Sequence, residues 1–282
     1  MKTFRTRSDL QLYLEKLPES VTVGFVPTMG ALHLGHKSLL SRALGENSIC
    51  ICSIFVNPKQ FEREEDLKNY PRTLDADYEM LKNIGCHILF LPEYSEIYPK
   101  GLSLKNYDFG NLDKVMEGVS RPGHFDAVAK VVSIFFDIIT PNKAYFGEKD
   151  AQQLSVIKLL KNLAYPELEI VSCPTLREPD GLAMSSRNKR LPGDERGAAA
   201  RIYKRLKEVK KRANSSSIQM VKEWVKQEFS LDKTLQLDYF EICHPESLVS
   251  SKYWNEHPTH LACIAVYVKG VRLIDNVLIQ VN

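Results

Sequence analysis

Short apolar runs alternate with longer amphipathic segments along most of the chain. The apolar runs have the length and composition of buried strands, and they occupy residues 21–26, 49–56, 86–91, 143–146 and 168–171. Apolar positions at helical spacing predict helices between them, at residues 8–16, 34–44, 73–83, 125–139 and 151–163. Strands that alternate with helices indicate βαβ units, so the pattern predicts a parallel sheet and an α/β fold.

The pattern changes after Pro174. A loop rich in charged and small residues precedes predicted helices at residues 195–213 and 218–229, and strands follow at 237–243, 261–268 and 271–281. Lys269 and Gly270 are predicted to join the last two strands as a hairpin. The sequence therefore predicts a Rossmann-like domain over residues 1–175 and a smaller C-terminal α+β lid domain over residues 176–282.

Composition narrows the class of protein. The chain has 282 residues, of which 44% are hydrophobic, so it is expected to bury a substantial core as a soluble globular protein. Its 38 Lys and Arg residues nearly balance 35 Asp and Glu residues, and this argues against a nucleic-acid or membrane-surface partner. The amino terminus does not resemble a secretory signal, and the most apolar stretch, residues 131–139, is too short to span a bilayer.

The six cysteines indicate a reducing compartment. They form no CxxC pair and show no zinc-site spacing with histidine, and most lie in or beside apolar runs. Buried reduced thiols are therefore the favoured interpretation, and the predicted location is the cytoplasm.

The predicted strand at residues 21–26 leads into a turn and the sequence His33-Leu34-Gly35-His36. Two histidines three positions apart share one face where a helix begins, and backbone N–H groups and the helix dipole favour phosphate there. Their imidazoles add donors for oxygens whose charge grows as pyrophosphate leaves, and Gly35 is expected to leave room for a nucleotide. Helix capping or surface exposure is the alternative for a single histidine, but the paired spacing favours a nucleotide site.

Two further segments carry groups suited to phosphate. Lys149, after a strand and Gly147, is placed to neutralise a triphosphate, whereas Asp150 suits Mg²⁺ binding and helix capping equally well. Ser185, Ser186 and Arg187 lie in a loop that would close over ATP, the alternative being a solvated loop.

Other polar residues are weaker candidates when each is taken alone. Gln60 follows the second strand, where its amide suits a small polar substrate, although by itself it is an ordinary loop glutamine. Arg121 and His124 precede an apolar helix, where an anion contact and a structural turn are equally plausible. Asp77 is a candidate metal ligand, although acids in the first turn of a helix need no such role. Most of these loops follow strand ends, so they are predicted to meet in one crevice.

These residues and their order resemble the pantothenate synthetase family, also called pantoate–β-alanine ligases, of the adenylate-forming HxGH nucleotidyltransferase superfamily. The resemblance covers nearly the whole chain, in blocks at residues 27–36, 55–61, 70–73, 121–125, 146–154, 177–188 and 272–276. It implies that ATP and (R)-pantoate form pantoyl adenylate and pyrophosphate, and that β-alanine then displaces AMP to give pantothenate. The resemblance also implies a homodimer and Mg²⁺.

The resemblance further implies the roles of site residues. His36, as proton donor, would be catalytic together with His33, Lys149 and Arg187. Gln60 would contact pantoate and β-alanine, and Gln153 would contact pantoate. The implied ATP-binding residues are Met29, Gly30, Ala31, Leu32, His33, Leu34, Gly35, His36, Gly147, Glu148, Lys149, Asp150, Leu176, Met184, Ser185, Ser186 and Arg187.

Some positions depart from the family pattern, and two other functions remain open. Ala127 and Lys130 replace a usual Gly and Thr, and Ala76 lies at the centre of the acidic cluster. One alternative is another HxGH enzyme, either a nucleotidylyltransferase or a synthetase that charges an RNA, although the mild charge argues against RNA. The other is a non-catalytic nucleotide-sensing module. Gln60 and Gln153 favour a small acid beside the ATP over simple nucleotidyl transfer.

Overall fold

The computed structural model describes residues 1–191 and 193–281. Its amino-terminal part is built on a parallel sheet of β1 (Lys2–Phe4), β2 (Val23–Thr28), β3 (Ile49–Ile54), β4 (Ile88–Phe90), β5 (Lys143–Gly147) and β6 (Glu169–Cys173). The strands lie in the order β1-β4-β3-β2-β5-β6, and all of these pairings are parallel. The predicted α/β fold is therefore confirmed.

Helices connect these strands and cover the sheet. They are α1 (Arg7–Leu14), α2 (Leu34–Glu46), α3 (Glu64–Lys68), α4 (Leu74–Ile84), α5 (Tyr94–Ile97), α6 (Glu117–Ser120), α7 (His124–Ile139) and α8 (Ala151–Ala164). The long helix α7 is mostly buried, and its Phe135 packs on Phe25 of β2 and Phe90 of β4, with ring centroids 5.6 and 6.1 Å apart. This packing holds α7 against one face of the sheet.

The C-terminal part is a three-stranded antiparallel sheet with helices on it. Its elements are α9 (Gly193–Ala199), α10 (Arg201–Arg212), α11 (Ile218–Ser230), β7 (Leu235–Cys243), β8 (Thr259–Val268) and β9 (Val271–Gln280). Lys269 and Gly270 have φ angles of 48° and 79°, which form the tight hairpin predicted between the last two strands. The helical stretch predicted at residues 195–213 is present, but it consists of two helices. Ala200 separates α9 from α10, although its φ and ψ of −61° and −23° remain helical, so the interruption lies in the hydrogen bonding.

Each sheet has its own hydrophobic core, and residues of β8 connect the two. Leu206, Val225 and Ile264 belong to a core between the C-terminal helices and the antiparallel sheet. Leu261 and Cys263 of β8 instead join the core of the parallel sheet. The C-terminal strands therefore pack directly against the amino-terminal part.

Two expectations about the chain as a whole can be compared with the structure. All six cysteines are free and buried, as the sequence predicts. Across residues 1–191 and 193–281, every helix is too short or too polar to cross a bilayer.

Candidate active site

A cleft lies at the carboxyl edge of the parallel sheet, beside β2. The strand order reverses between β2 and β5, and the loops after these strands diverge at such a point. The cleft encloses about 1270 Å³ of space, part of it open to solvent. Met29 after β2, Asn57 after β3 and Gly147 at the end of β5 line it. The predicted crevice is therefore present.

The two histidines of the HxGH motif both line the cleft and cap α2. The Gly35 N–H donates to His33 Nδ1 at 3.1 Å, and the His33 N–H donates to His36 Nδ1 at 3.2 Å. Helix capping and a role in the site were alternatives at the level of sequence. In the structure, the same two side chains cap α2 and also line the cleft. A Cβ at Gly35 would lie 2.8 Å from His33 Cε1, so this glycine accommodates the His33 ring.

Backbone bonding fixes the tautomer of both rings. An Nδ1 atom that accepts a hydrogen bond carries no proton, so a neutral ring has its proton on Nε2. Burial, and then the charge of Lys149, lower the pKa of His33 to about 4. Burial also lowers the pKa of His36 well below its usual value, with smaller effects from His33 and Lys149. Each ring is therefore neutral at pH 7 and has Nε2–H available as a donor.

The turn before the histidines is held by Asp77 of α4. Gly30 and Ala31 have φ angles of 78° and 50°, and this left-handed conformation costs a residue with a side chain about 1 kcal/mol. Asp77 Oδ2 accepts from the Ala31 N–H and Oδ1 from the Leu32 N–H, each at 2.8 Å. Thr73 Oγ1 donates to the same carboxylate at 3.1 Å. These bonds hold the backbone in the conformation that begins α2.

These bonds favour a structural role for Asp77 over the metal-binding role that the sequence left open. Its carboxylate is buried. Oδ2 accepts a hydrogen bond from the turn, and Oδ1 accepts one from the turn and one from Thr73, just before α4. Within the residues that the structure describes, no three His, Cys, Asp or Glu side chains are grouped to hold a metal ion. The acid stabilises backbone N–H groups.

Gln60 lies in the cleft, and hydrogen bonds to its backbone carbonyl hold it in place. Its carbonyl oxygen accepts from Arg121 Nη2 at 3.1 Å and from His124 Nδ1 at 2.9 Å, and Arg121 Nη1 lies 3.1 Å from His124 Nε2. Burial, and then Arg121, lower the pKa of His124 to about 3, so its ring stays neutral and can donate from Nδ1. Asn57 Nδ2 donates to the Gln60 side chain at 3.3 Å. Arg121 and His124 thus position Gln60.

The turn after β5 supplies a cation to the cleft. Lys149 lies in a 3₁₀ turn, Glu148–Asp150, and its Nζ is 3.5 Å from the Asp150 carboxylate, which is a weak pairing. Asp150 lies at the N-cap position of α8, but its side chain makes no capping hydrogen bond, and it lines the cleft. Gln153 also lines the cleft, whereas Gln152 is buried and bonds to Leu112 and Val115.

The serine and arginine loop closes one side of the cleft. Ser186 Oγ donates to the Ala31 carbonyl at 3.0 Å, and this bond ties the loop to the turn before α2. Arg187 pairs with Asp66 of α3 at 3.1 Å, and Arg190 binds the same carboxylate at 2.9 Å. Burial alone would raise the pKa of Asp66, but the two guanidiniums lower it overall. Asp66 therefore pairs with both Arg187 and Arg190.

The structure places most, but not all, of the predicted ATP-binding residues around the cleft. Those that line it are Met29, His33, Gly35, His36, Gly147, Lys149, Asp150, Leu176, Met184, Ser185, Ser186 and Arg187. Those predicted residues that lie outside its lining are Gly30, Ala31, Leu32, Leu34 and Glu148. The first three form the strained turn, and Leu34 is 53% exposed.

Sequence reasoning missed an apolar wall and a buried amide. Val128, Val131, Val132 and Phe135 of α7 form one side of the cleft and would exclude water there. Asn57, only 1% exposed, bonds to Gln60 and accepts from Tyr98 at 3.1 Å. A polar residue directly after an apolar strand was a usable signal for Asn57, whereas the buried face of α7 looked like ordinary core.

Asp77→Asn separates a structural role from metal binding. The amide places a donor against a buried backbone donor, so we expect a loss of about 2 kcal/mol and a fall of roughly 5 °C in melting temperature. Calorimetry with EDTA and with Mg²⁺ checks this, with the exposed Asp75→Asn on the same helix as control. A loss seen only when Mg²⁺ is present would support the metal assignment instead.

The histidine tautomers can be measured directly. In ¹⁵N spectra of the free protein at pH 7, His33 and His36 should both show a protonated Nε2 and a bare Nδ1, because backbone N–H groups occupy Nδ1. His33 should begin to gain a second proton only near pH 4. Signals are assigned with His33→Asn and His36→Asn, and titration of either ring above pH 6 would contradict the geometry.

Comparisons with known proteins identify the family of this chain. The family model described as Pantoate-beta-alanine ligase matches residues 2–278. A pantothenate synthetase from Flavobacterium psychrophilum is 44% identical over 282 residues, which cover 99% of this chain and 100% of the relative. The pantothenate synthetase of Cytophaga hutchinsonii is 44% identical over 274 residues, 96% of each chain.

Solved structures give the same result. The crystal structure of pantothenate synthetase from Thermus thermophilus matches with a TM-score of 0.90 and 39% identity, covering 98% of this chain and 99% of that one. The pantoate-beta-alanine ligase of Francisella tularensis, complexed with beta-gamma ATP and beta-alanine, matches with a TM-score of 0.81 and 34% identity over 99% and 97% of the chains. The chain therefore belongs to the pantoate-beta-alanine ligase family and is a ligase that forms a C–N bond.

Proposed function

We propose that this chain condenses (R)-pantoate with β-alanine at the expense of ATP, through a pantoyl-adenylate intermediate. The observation that supports it most is one cleft that holds two neutral Nε2–H donors, the Lys149 ammonium, and the amides of Gln60 and Gln153. The first three groups suit a triphosphate, and the two amides suit a small hydroxy acid. Family membership points to the same substrates.

The first step would be adenylation of pantoate. Its carboxylate is ionised at pH 7 and needs no base, so an oxygen attacks the α-phosphorus and the bond to the β-phosphate oxygen breaks. Repulsion between the carboxylate and the triphosphate is the main obstacle. His36 and His33 would donate Nε2–H bonds to the phosphate oxygens, and Lys149 and Arg187 would offset their charge as pyrophosphate leaves. Neutral rings suit this role because they donate without needing an acidic pH.

The second step would join the amine. The β-alanine nitrogen attacks the pantoyl carbonyl carbon, the bond to the AMP oxygen breaks, and the nitrogen loses a proton. Until the amine arrives, the mixed anhydride must be kept from water. The apolar wall of α7 and the loop that Ser186 ties to Ala31 would provide this protection. Gln60, held by Arg121 and His124, would fix the substrates beside each other.

We include Mg²⁺ in the proposal, and we expect the protein to supply few of its ligands. Asp150 is the carboxylate among the described residues that line the cleft. Mg²⁺ commonly takes one or two carboxylates with substrate phosphates and water, so this sparse donor set fits an ion that arrives with ATP. When bound, the ion would neutralise phosphate charge. Asp150 would hold it near Lys149.

Three broader predictions remain part of the proposal. The cytoplasmic location rests on buried free thiols, which suit a reducing compartment. The division at residues 175 and 176 is supported by the separate core of the C-terminal helices and sheet.

The homodimer rests on the resemblance to the family. Sedimentation equilibrium should give twice the chain mass of 32.2 kDa, and a single-chain mass at micromolar concentration would refute it.

The reaction is tested by supplying ATP with pantoate and β-alanine and measuring AMP. AMP release that requires both the acid and the amine supports the ligase, and no AMP at all refutes it. AMP release without the amine would favour a nucleotidylyltransferase. ATP binding without any turnover would favour a nucleotide-sensing module.

His36→Ala tests the chemistry of the motif. It removes a donor aimed at developing phosphate charge, so pyrophosphate exchange should fall about 10²- to 10³-fold while ATP affinity changes much less. His257→Ala is the control, because His257 lies outside the cleft lining in the C-terminal part. Wild-type exchange in the His36 variant would exclude the catalytic role.

A further inference from the structure

A residue of the C-terminal sheet holds the turn that carries Lys149. Asn276 of β9 donates from Nδ2 to the Glu148 carbonyl at 2.8 Å and to the Lys149 carbonyl at 3.0 Å. These two carbonyls belong to the 3₁₀ turn between β5 and α8. One side-chain amide therefore binds the carbonyls of two consecutive residues of the active-site turn, from a strand that lies 127 positions later in the sequence.

Lys149 depends on its backbone for its position. Its ammonium lies 3.5 Å from Asp150, which is too long for a strong ion pair, and its side chain is only 17% exposed. It borders the active-site cleft, the neighbouring arginine-rich cleft and a small cavity beside Asn276. A flexible four-carbon side chain without a strong ion-pair partner is aimed mainly by where its Cα is held.

Asn276 is itself fixed on both sides. Its N–H donates to Asp275 Oδ1 at 2.8 Å, and its carbonyl accepts from Arg177 Nη2 at 3.2 Å. Arg177 and Asp275 form a bidentate pair at 2.7 and 2.9 Å, and the guanidinium stacks on Tyr203 at 3.6 Å from the ring centroid. The amide of Asn276 therefore has little freedom to follow the turn if the turn moves.

A second set of contacts connects β9 to the start of α8. Arg272 binds Glu117 of α6 through two bonds of 2.6 and 2.7 Å, and Gln152 of α8 accepts from the Glu117 N–H at 3.0 Å. Arg272 and Asn276 lie four residues apart on β9 and so share a face of the strand. That face is attached to the first turn of α8 and to the turn that precedes it.

We propose that Asn276 is a positioning residue for adenylation, which sets the Lys149 ammonium against the triphosphate by bonding the carbonyls of Glu148 and Lys149. The inference rests on the proposed function, because it assigns Lys149 to ATP. Asn276 does not line the cleft and acts through Lys149. Loss of its two bonds would leave the fold intact but would let the turn shift by fractions of an ångström, which is enough to misplace a charge.

A double-mutant cycle with Lys149→Ala tests this coupling. In the parent enzyme, Asn276→Ala should lower kcat/KM for ATP in pyrophosphate exchange about 10- to 30-fold, as expected from the loss of two hydrogen bonds. In the Lys149→Ala background the same change should cost less than about twofold, because the group that it positions is gone. Asn276→Ser, which keeps one donor, should fall between the parent and Asn276→Ala.

The controls separate the possible failures. Asn214→Ala removes an exposed amide of the C-terminal part and should leave exchange unchanged. Equal losses from Asn276→Ala in both backgrounds would overturn the proposal, since a purely structural role acts regardless of Lys149, and so would no loss in either. If Asn276→Ala fails to fold, the same cycle with Asn276→Ser decides. Absence of pantoate-dependent exchange in the parent enzyme would instead refute the proposed function.

Discussion

The site depends on a carboxylate that lies outside it. Asp77 accepts the N–H groups of Ala31 and Leu32 in a turn whose φ angles are left-handed, and hydrogen bonds to a charged group contribute about 1.5–3 kcal/mol each. Without them the turn would relax, because Ala31 has no intrinsic preference for that conformation. The direction in which α2 begins follows from this turn. The positions of both histidines follow from α2.

Once α2 begins in this way, the chemistry of the histidines follows from backbone geometry. The N–H groups of Gly35 and His33 would be unpaired at a helix start, and the rings satisfy them through Nδ1. Burial then disfavours a second proton on either ring. The hydrogen bonds to Nδ1 and the burial of the helix start together leave both rings neutral, and each ring has its Nε2–H free to donate. A phosphate oxygen needs such donors.

The sequence predicted the fold and the centre of the site because local patterns determine both. Strand ends in a parallel sheet meet at one edge, so His36, Gln60 and Lys149 were expected together before any distance was known. The short elements β1, α3, α5 and α6, of three to five residues each, were missed because so few positions show no periodicity.

The contacts that orient these residues lay beyond prediction from the sequence. An acid in the first turn of α4 looks the same whether it binds a metal, faces water or accepts N–H groups from a distant turn, so the sequence left the role of Asp77 open. Asn276 contacts residues 127 and 128 positions earlier, and no spacing rule connects them. Arg121 and His124 were noticed, but only the structure shows that both bond to the carbonyl of Gln60.

The attachment of β9 bears on what can move when substrates bind. Arg272 and Glu117 are 15% and 8% exposed and are joined by two hydrogen bonds, and Arg272 also binds Asp238 of its own sheet. Opening the C-terminal sheet as a rigid body would break this pair and also the two bonds of Asn276. The pairs of Asp66 with Arg187 and Arg190 are about a third exposed on the carboxylate side, and a triphosphate can replace the carboxylate there. Movement on binding is therefore cheaper in α3 and the Ser186–Arg190 segment than in the sheet behind Lys149.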